Sequence, residues 1–281
     1  MVRPLVSVVL PTYNGSRYLG ESIESIIRQS LVEWELIIVD DHSTDGTAEI
    51  VQKFMSQDSR IRFIRHEQNR KLPAALNTGF NSIKGAYATW TSDDNLYRES
   101  ALQEMVDILE NKPAVDMVYT DFTEIDEDGN ILSVQNALPL LQLLDKNIVG
   151  PSFMFRQEVF KSVGTYSENL FLAEDYDYWL RVSASHVLEP LHRDLYLYRT
   201  HGVSLSGTNR IEKIWEMRDK ALYENLNTMK WVDLETQVHY YLKLSRRAFQ
   251  RKDFNFFLRG ICSSFSVSTG LTLKRLSKSF L

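Results

Sequence analysis

The chain has 281 residues, 43% hydrophobic and 25% charged, an ordinary composition for one large globular domain or one domain with an extension. Its single cysteine, Cys262, excludes an internal disulfide and suits a reducing cytosol, and no stretch approaches the ~20 apolar residues of a membrane span. The formal charge of −5 is uneven: residues 242–281 hold nine Lys or Arg against one acid, Asp253, whereas the other 241 residues hold 23 basic against 36 acidic, and an acidic body with a basic tail argues against a nucleic-acid binder.

From the start to about residue 97, strand and helix patterns alternate. Leu5–Leu10 is a short apolar strand, a better fit to its length than a signal sequence. Leu19, Ile23, Ile26 and Ile27 form a helical stripe, and Glu35–Asp40 is a second strand with four consecutive apolar residues. Ile50, Val51 and Phe54 mark the next helix, and Ile61–Arg65 a third strand. Leu72, Ala75, Leu76, Gly79, Phe80 and Ile83 mark a third helix, with Pro73 in its first turn. Ala86–Thr91 is a fourth strand that stops at two adjacent carboxylates, Asp93 and Asp94, before the helical stripe Leu102, Met105, Val106 and Leu109. Strands alternating with helices predict an α/β fold with a mostly parallel sheet and right-handed crossovers. Continuous apolar strands predict helices on both faces.

Ligands of such sheets bind outside the carboxyl ends of the strands, so the residues just after each strand carry the functional reading. Strand one is followed by Pro11-Thr12-Tyr13-Asn14-Gly15, strand two ends in Asp40-Asp41-His42-Ser43, and strand four gives Ser92-Asp93-Asp94-Asn95. Paired acids repel and want a cation beside them, and hard oxygen ligands suit Mg²⁺ or Mn²⁺ bridging to phosphates. An aromatic wall, an acid and a metal-type acid pair together match a nucleoside diphosphate. Helix capping accounts equally well for any one cluster, the acid pair included. Neither G-x-G-x-x-G nor a Walker A sequence occurs, and no His or Cys cluster supports zinc.

Taken together, five segments resemble the family 2 glycosyltransferases of the GT-A fold. VSVVLPTYNGSRYLGESIESIIRQS resembles that family's opening strand, turn and first helix, and ELIIVDDHSTDGT its V-D-D-x-S-x-D-x-T segment. LNTGFNSIKGAYATWTSDDN resembles the N-x-G to D-x-D-D segment, FMFRQEVFKSVGTYSENLFLAEDYDYWLRV the acceptor-side block, and YRTHGVSLS the closing Y-R-x-H-x-x-S-x-S. The resemblance implies transfer of a sugar, with inversion, from a nucleotide-sugar donor to a glycan or lipid-linked acceptor, assisted by Mn²⁺ or Mg²⁺. It implies that Pro11, Thr12, Tyr13 and Asp41 hold the nucleoside, with Asp41 accepting from a uracil imide. Asp93 would face the ribose and phosphates, Asp94 would ligate the metal, His201 would approach metal or diphosphate, and Asp175 would be the general base. Three features depart from the family pattern. Thr91 stands where the family's first acid is expected, Arg70 and Lys71 follow Asn69 where a glycine is usual, and the Q-x-x-R-W of processive enzymes is absent. Arg70 and Lys71 either help to neutralise a diphosphate or face solvent.

From the residues alone, Glu174, Asp175 and Asp177 also read as acids enriched in the first turn of a helix, and Trp179 reads equally as core or acceptor wall. The other five histidines have no partner motif. Asp126–Asn130 reads as a turn between two short strands, and Pro139–Asp145 as an apolar segment over the site. Residues 1–206 are thus expected to form the transferase domain, with a nucleotide-binding half at 1–97 and an acceptor half at 98–206. Residues 207–281 are expected to form a helical extension, with Trp215, Leu222, Tyr223 and Leu226 on one helix and Val238, Tyr241, Leu242 and Phe249 on another. Phe254, Phe257, Leu258, Ile261 and Phe265 then recur at helical spacing, followed by Leu271, Leu273, Leu276 and Phe280 among Lys274, Arg275 and Lys278. This amphipathic tail, residues 253–281, either docks on an anionic membrane surface or packs back on the acidic body. The expected location is cytoplasmic, peripheral to the inner membrane face if the tail docks there. A sugar nucleotidyltransferase is the alternative enzyme, but it would want a Gly- and Arg-rich loop where PTYNGSRY has one of each. A catalytically inactive binding module is the other, and retention of Asp93, Asp94 and Asp175 argues against it.

Overall fold

A computed structural model describes residues 3–202 and 210–279. The closing Ser204 and Ser206 of the Y-R-x-H motif, the 206/207 boundary and Phe280 lie outside the described residues. In chain order the first elements are β1 (Val6–Thr12), α1 (Leu19–Ile27), β2 (Trp34–Asp40), α2 (Thr47–Gln57), β3 (Ile61–Arg65), α3 (Lys71–Phe80) and β4 (Tyr87–Trp90). These strands are parallel in the order β3-β2-β1-β4. Period-two alternation divides their apolar residues between two cores. Val6, Val8 and Leu10 of β1 join Leu36 and Ile38 of β2 under α1, while Val9 packs toward α3. Gly79 permits that second contact, because a Cβ there would lie 2.3 Å from Val9 Cγ1.

Past β4 come β5 (Leu96–Tyr97), α4 (Ala101–Asn111), β6 (Met117–Ile125), β7 (Ile131–Gln135), β8 (Phe153–Arg156), α5 (Gln157–Val163), α6 (Glu174–Ser183) and β9 (Leu188–Arg199). Here the sheet turns mixed: β8 lies antiparallel between β4 and β6, β6 runs parallel to β9, and β5 closes the edge antiparallel to β9. The expected mostly parallel pattern therefore describes the first half only. The strand β5 also separates the acid pair from α4, so Asp93 and Asp94 do not cap that helix, and the capping explanation for them is removed. The turn expected at Asp126–Asn130 joins β6 and β7, its Asp126 Oδ1 accepting from the backbone N–H of Asp128 and Asn130. However, β6 is nine residues long rather than short.

The remaining helices are α7 (Ile211–Asn225), α8 (Leu234–Gln250), α9 (Phe254–Val267) and α10 (Thr269–Ser279). Helix α7 and the first turns of α8 do not stand apart. Their Met217, Ala221, Leu222, Leu226, Tyr240, Tyr241 and Leu244 belong to one core with Phe153, Phe155, Tyr178 and Trp179.

Candidate active site

The carboxyl ends of β1, β2 and β3 are laced together. The backbone N–H of Asp41 donates to Thr12 O, and that of His66 donates to Asp40 O. Asn14, with positive φ, accepts from Thr44 N–H through its side chain, and its own N–H donates to Ser43 Oγ. Tyr13 is half exposed beside this tie, whereas Pro11 and Thr12 are buried. Asp41 is also buried, and its carboxylate accepts from three groups. These are Arg70 N–H at 2.8 Å, Lys71 N–H at 2.7 Å and His66 Nδ1 at 2.7 Å. His66 Nε2 reaches Thr78 Oγ1 at 2.9 Å, which pins α3 to the same carboxylate. Three N–H donors leave Asp41 room for one further partner. The Arg70 side chain is exposed, 3.7 Å from Glu168, and Lys71, also with positive φ, lies over the Phe171 ring.

Asp93 and Asp94 follow β4 at the same edge. Thr12 Oγ1 donates to Asp93 Oδ2 at 2.5 Å. Gly15 is required beside this bond, since a Cβ there would come within 2.1 Å of the same oxygen. Burial, then the neighbouring Asp94, push the Asp93 carboxyl up to about 6 against the opposing pull of Thr12. Asp94 Oδ2 lies 2.9 Å from His201 Nε2, and Asp94 Oδ1 is buried without a partner among the described residues. Arg199 is the buried strut behind this pair. Its Nε donates to Asp94 O, its Nη2 pairs with Glu21 at 2.6 Å, and its backbone N–H donates to Asn95 Oδ1. The Tyr18 ring underlies both Arg199 and His201. Thr91, in place of the family's first acid, is core, its hydroxyl 2.6 Å from Tyr196 OH.

No group of three or more His, Cys, Asp or Glu side chains able to hold a metal occurs among the described residues. What the edge offers a cation is narrower: an orphaned buried carboxylate oxygen on Asp94, with an imidazole on the other oxygen of the same group. That donor set fits a divalent ion whose coordination is completed by phosphate oxygens.

Asp175 stands in the first turn of α6. Its Oδ2 accepts from Asn147 Nδ2 at 2.7 Å and its Oδ1 from Tyr176 N–H at 2.6 Å. Burial raises its pKa, opposed by those hydrogen bonds and by the charge of Arg218. Glu174 is pushed up to about 8 by burial and by the charge of Asp175. Asp177 has a different task. Its Oδ2 accepts from Arg181 and its Oδ1 from Asn225 of α7, joining the two helices. Trp179 is fully buried core and not a wall of the site, 4.5 Å from the ring of Phe153, which in turn packs on Trp90. This aromatic row fixes α6 relative to the end of β4. The segment Pro139–Asp145 contains a 3-10 turn at Leu140–Leu144, and Leu143 O accepts from Tyr176 OH.

A mixed α/β sheet with an acid pair at its carboxyl edge, and a second acidic cluster in the first turn of α6, is the GT-A fold. The chain belongs to glycosyl transferase family 2, whose pattern residues 7–164 match. It is 32% identical over 204 residues to an uncharacterized glycosyltransferase of Rickettsia felis, spanning 68% of this chain and 33% of that one. The chain thus spans about one third of the length of that relative. The fold is similar to that of S. aureus TarS 1-349 in complex with UDP-GlcNAc, with a TM-score of 0.66 at 16% identity, covering 90% of this chain and 89% of that one. It is also similar to the mannosyltransferase PcManGT from Pyrobaculum calidifontis in complex with GDP-Man and Mn²⁺, with a TM-score of 0.63 at 16% identity, covering 100% and 82%.

Several residues of the site are not legible in the sequence. His66 and Asn147 lie in stretches without a motif, and each becomes meaningful only through the carboxylate it holds. Glu21 and Arg199 are 178 positions apart. Arg199 belongs to the Y-R-x-H run, and that membership was the one available signal.

Proposed function

We propose that the chain transfers a sugar, with inversion, from a nucleoside diphosphate sugar, UDP-linked, to a hydroxyl of a glycan or lipid-linked acceptor. The observation that carries this reading is the edge formed by Thr12, Asp41, Asp93 and Asp94, where Asp94 Oδ1 has lone pairs that no described donor takes. Tyr13 supplies an exposed ring for the base, with Pro11 and Thr12 beneath it. Asp41 fixes the Arg70–Lys71 turn and keeps one acceptor position for the base, while the exposed Arg70 side chain, loosely paired with Glu168, would turn to phosphate. Asp93, held by Thr12, faces ribose and phosphates. Asp94 and His201 would hold Mn²⁺ or Mg²⁺, which when bound neutralises the departing diphosphate.

Asp175 takes the proton of the acceptor hydroxyl. The acceptor oxygen bonds to the anomeric carbon as the bond from that carbon to the diphosphate oxygen breaks, its electron pair leaving with UDP. Two hydrogen bonds orient the Asp175 carboxylate, and burial makes it a stronger base than a solvated one. In this reading residues 1–206 are the transferase unit, residues 207–281 are a helical extension that shares its core, and the location is cytoplasmic.

Calorimetry with UDP tests the donor half: affinity should be higher with Mn²⁺ than with EDTA, and Asp94→Asn should lose most of that gain. Equal affinity in both conditions would remove the metal assignment. A panel of nucleotide-sugars, read by released nucleoside diphosphate, then identifies the donor and separates a transferase from a nucleotidyltransferase or an inactive module.

A second reading concerns the tail, which we propose docks on an anionic membrane surface. Helix α9 turns Phe256, Gly260 and Ser264 inward, so Phe254 and Leu258 are left exposed beside Phe249.

A further inference from the structure

Arg218 of α7 is a half-buried guanidinium held between two aromatic rings, 4.7 Å from the centroid of Tyr176 and 5.0 Å from that of Trp215. Tyr176 is the residue next to Asp175 and gives it a backbone hydrogen bond. The Tyr176 ring cannot drift, because its hydroxyl is tied to Leu143 O at 2.7 Å. Trp215 lies one turn before Arg218 and is 42% exposed, so one side of the pair opens to solvent.

Arg218 makes no close ion pair with a described carboxylate, although its charge acts on the buried Asp175. Its chain neighbour Asp219 is the nearest acid in sequence, but Asp219 is buried and already held by Arg247 at 2.8 Å and Arg251 at 2.7 Å. No described carboxylate forms an ion pair with Arg218, and its Nε is buried without a hydrogen-bond partner. Elsewhere in this region guanidinium groups are matched: Arg181 to Asp177, and Arg247 and Arg251 to Asp219. A half-buried guanidinium without a close carboxylate partner, beside an open face, can receive an anion. Its side chain makes no hydrogen bond with a described group, so its planar donors can take a carboxylate or phosphate in a bidentate grip.

We propose that Arg218 and Trp215 form an acceptor subsite for a saccharide or polyol bearing a carboxylate or phosphate, with Arg218 holding the anion and the exposed indole offering a flat face to the ring. The proposal rests on the transferase reading above and deepens it, since an acceptor anchored here lies beside the carboxylate that receives its proton. It also gives the helical extension a part in the site: the acceptor is read by α7.

The test uses the full chain saturated with UDP and Mn²⁺, so that the donor site is filled. Glucuronate and glycerol 3-phosphate are titrated against glucose and glycerol, following the change in tryptophan emission and confirming saturation by calorimetry. At least one anionic probe should bind saturably in the millimolar range and its neutral counterpart at least tenfold more weakly. Arg218→Met, which keeps the stacking stem, should weaken the anionic probe about tenfold or more, Arg218→Lys should restore part of that loss, and Trp215→Phe should abolish most of the emission change. UDP affinity should be the same in all three variants. Anions that bind no better than neutral probes, equal binding to Arg218→Met, or no binding of any probe to the UDP-loaded chain would each overturn the subsite. Absence of UDP binding in the unaltered protein would overturn the donor reading and this one with it.

Discussion

At the scale of single residues, three acids in one helical turn have three fates. Glu174 accepts from Leu172 N–H and is held up to about 8, Asp175 is oriented by Asn147 and Tyr176, and Asp177 ties α6 to α7. The sequence spacing of E-D-x-D is the same for all of them, so only the packing separates the proposed base from a strut. Asp175→Asn should therefore reduce turnover by ~10²-fold or more with UDP affinity unchanged, as steady-state kinetics and calorimetry would show. Asp177→Asn should do the opposite. It should leave turnover within a few fold and lower stability by about 1–3 kcal/mol in a denaturant titration, because a buried acceptor of two hydrogen bonds is replaced by a poorer match. The raised pKa of Asp175 also predicts a pH profile. A base works only when deprotonated, so kcat/KM should fall as pH is lowered through a value above the ordinary carboxylate range. Glu174 on the same helix, Arg218 from α7 and Asn147 from the preceding segment face that group, and Arg218 lowers its pKa. Arg218→Met should move the acid limb to higher pH. A limb that stays in place would place the titrating base elsewhere.

At the scale of elements, most strands and helices of the first hundred residues were legible, the helices by their 3.6 period and the strands as short continuous apolar runs, whereas the two-residue β5 was not. Their carboxyl ends were legible because the topology follows from the alternation. The region around Asn147 was not, since a 3-10 turn and irregular backbone carry no period to read. The tail shows what apolar spacing alone does not read. Apolar spacing in α9 picked out Phe254, Phe257, Leu258, Ile261 and Phe265, yet the closest approach to α8 is at Gly260, beside Ser245 and Tyr241, while Phe256 meets Tyr223 of α7. Small residues let the helix axes approach closely, so the buried face is not the most hydrophobic one. A Cβ on Gly260 would lie 2.1 Å from Ser245 Oγ and 3.0 Å from Tyr241 O. Gly260→Leu should thus force the helices apart and cost about 1–3 kcal/mol, visible as a lower denaturation midpoint. Phe254→Ser, on the exposed side, should leave that midpoint within about 0.5 kcal/mol. Equal losses in both variants would mean that α9 packs by its aromatic stripe after all.

At the scale of the whole molecule, charge and exposed apolar surface coincide. The catalytic body is acidic, while residues 242–281 carry nine basic residues against one acid. On that basic segment Phe249, Phe254, Leu258 and Leu273 are each more than half exposed. Phe249 packs against Phe254 and Phe257 with ring centroids 5.9 and 5.4 Å apart, which makes one continuous apolar face. Among the described residues no helix is long and apolar enough to cross a membrane, so this face would lie on a bilayer and not through it. Basic residues near an anionic surface contribute about 1 kcal/mol each, and four of them with two buried phenylalanines suffice for reversible docking. A lipid-linked acceptor would then meet the site at the surface where it resides. The full chain should sediment with vesicles of phosphatidylglycerol and phosphatidylcholine at low salt and be released as salt is raised, because the electrostatic part is screened. Vesicles of phosphatidylcholine alone should leave it in the supernatant. Phe254→Ser combined with Leu258→Ser should weaken sedimentation at least tenfold with UDP affinity intact, since neither side chain belongs to the core. If the unaltered chain ignores anionic vesicles, or the double variant sediments as well as its parent, the exposed face of α9 is not a membrane contact, and the acceptor must reach the site without help from the tail.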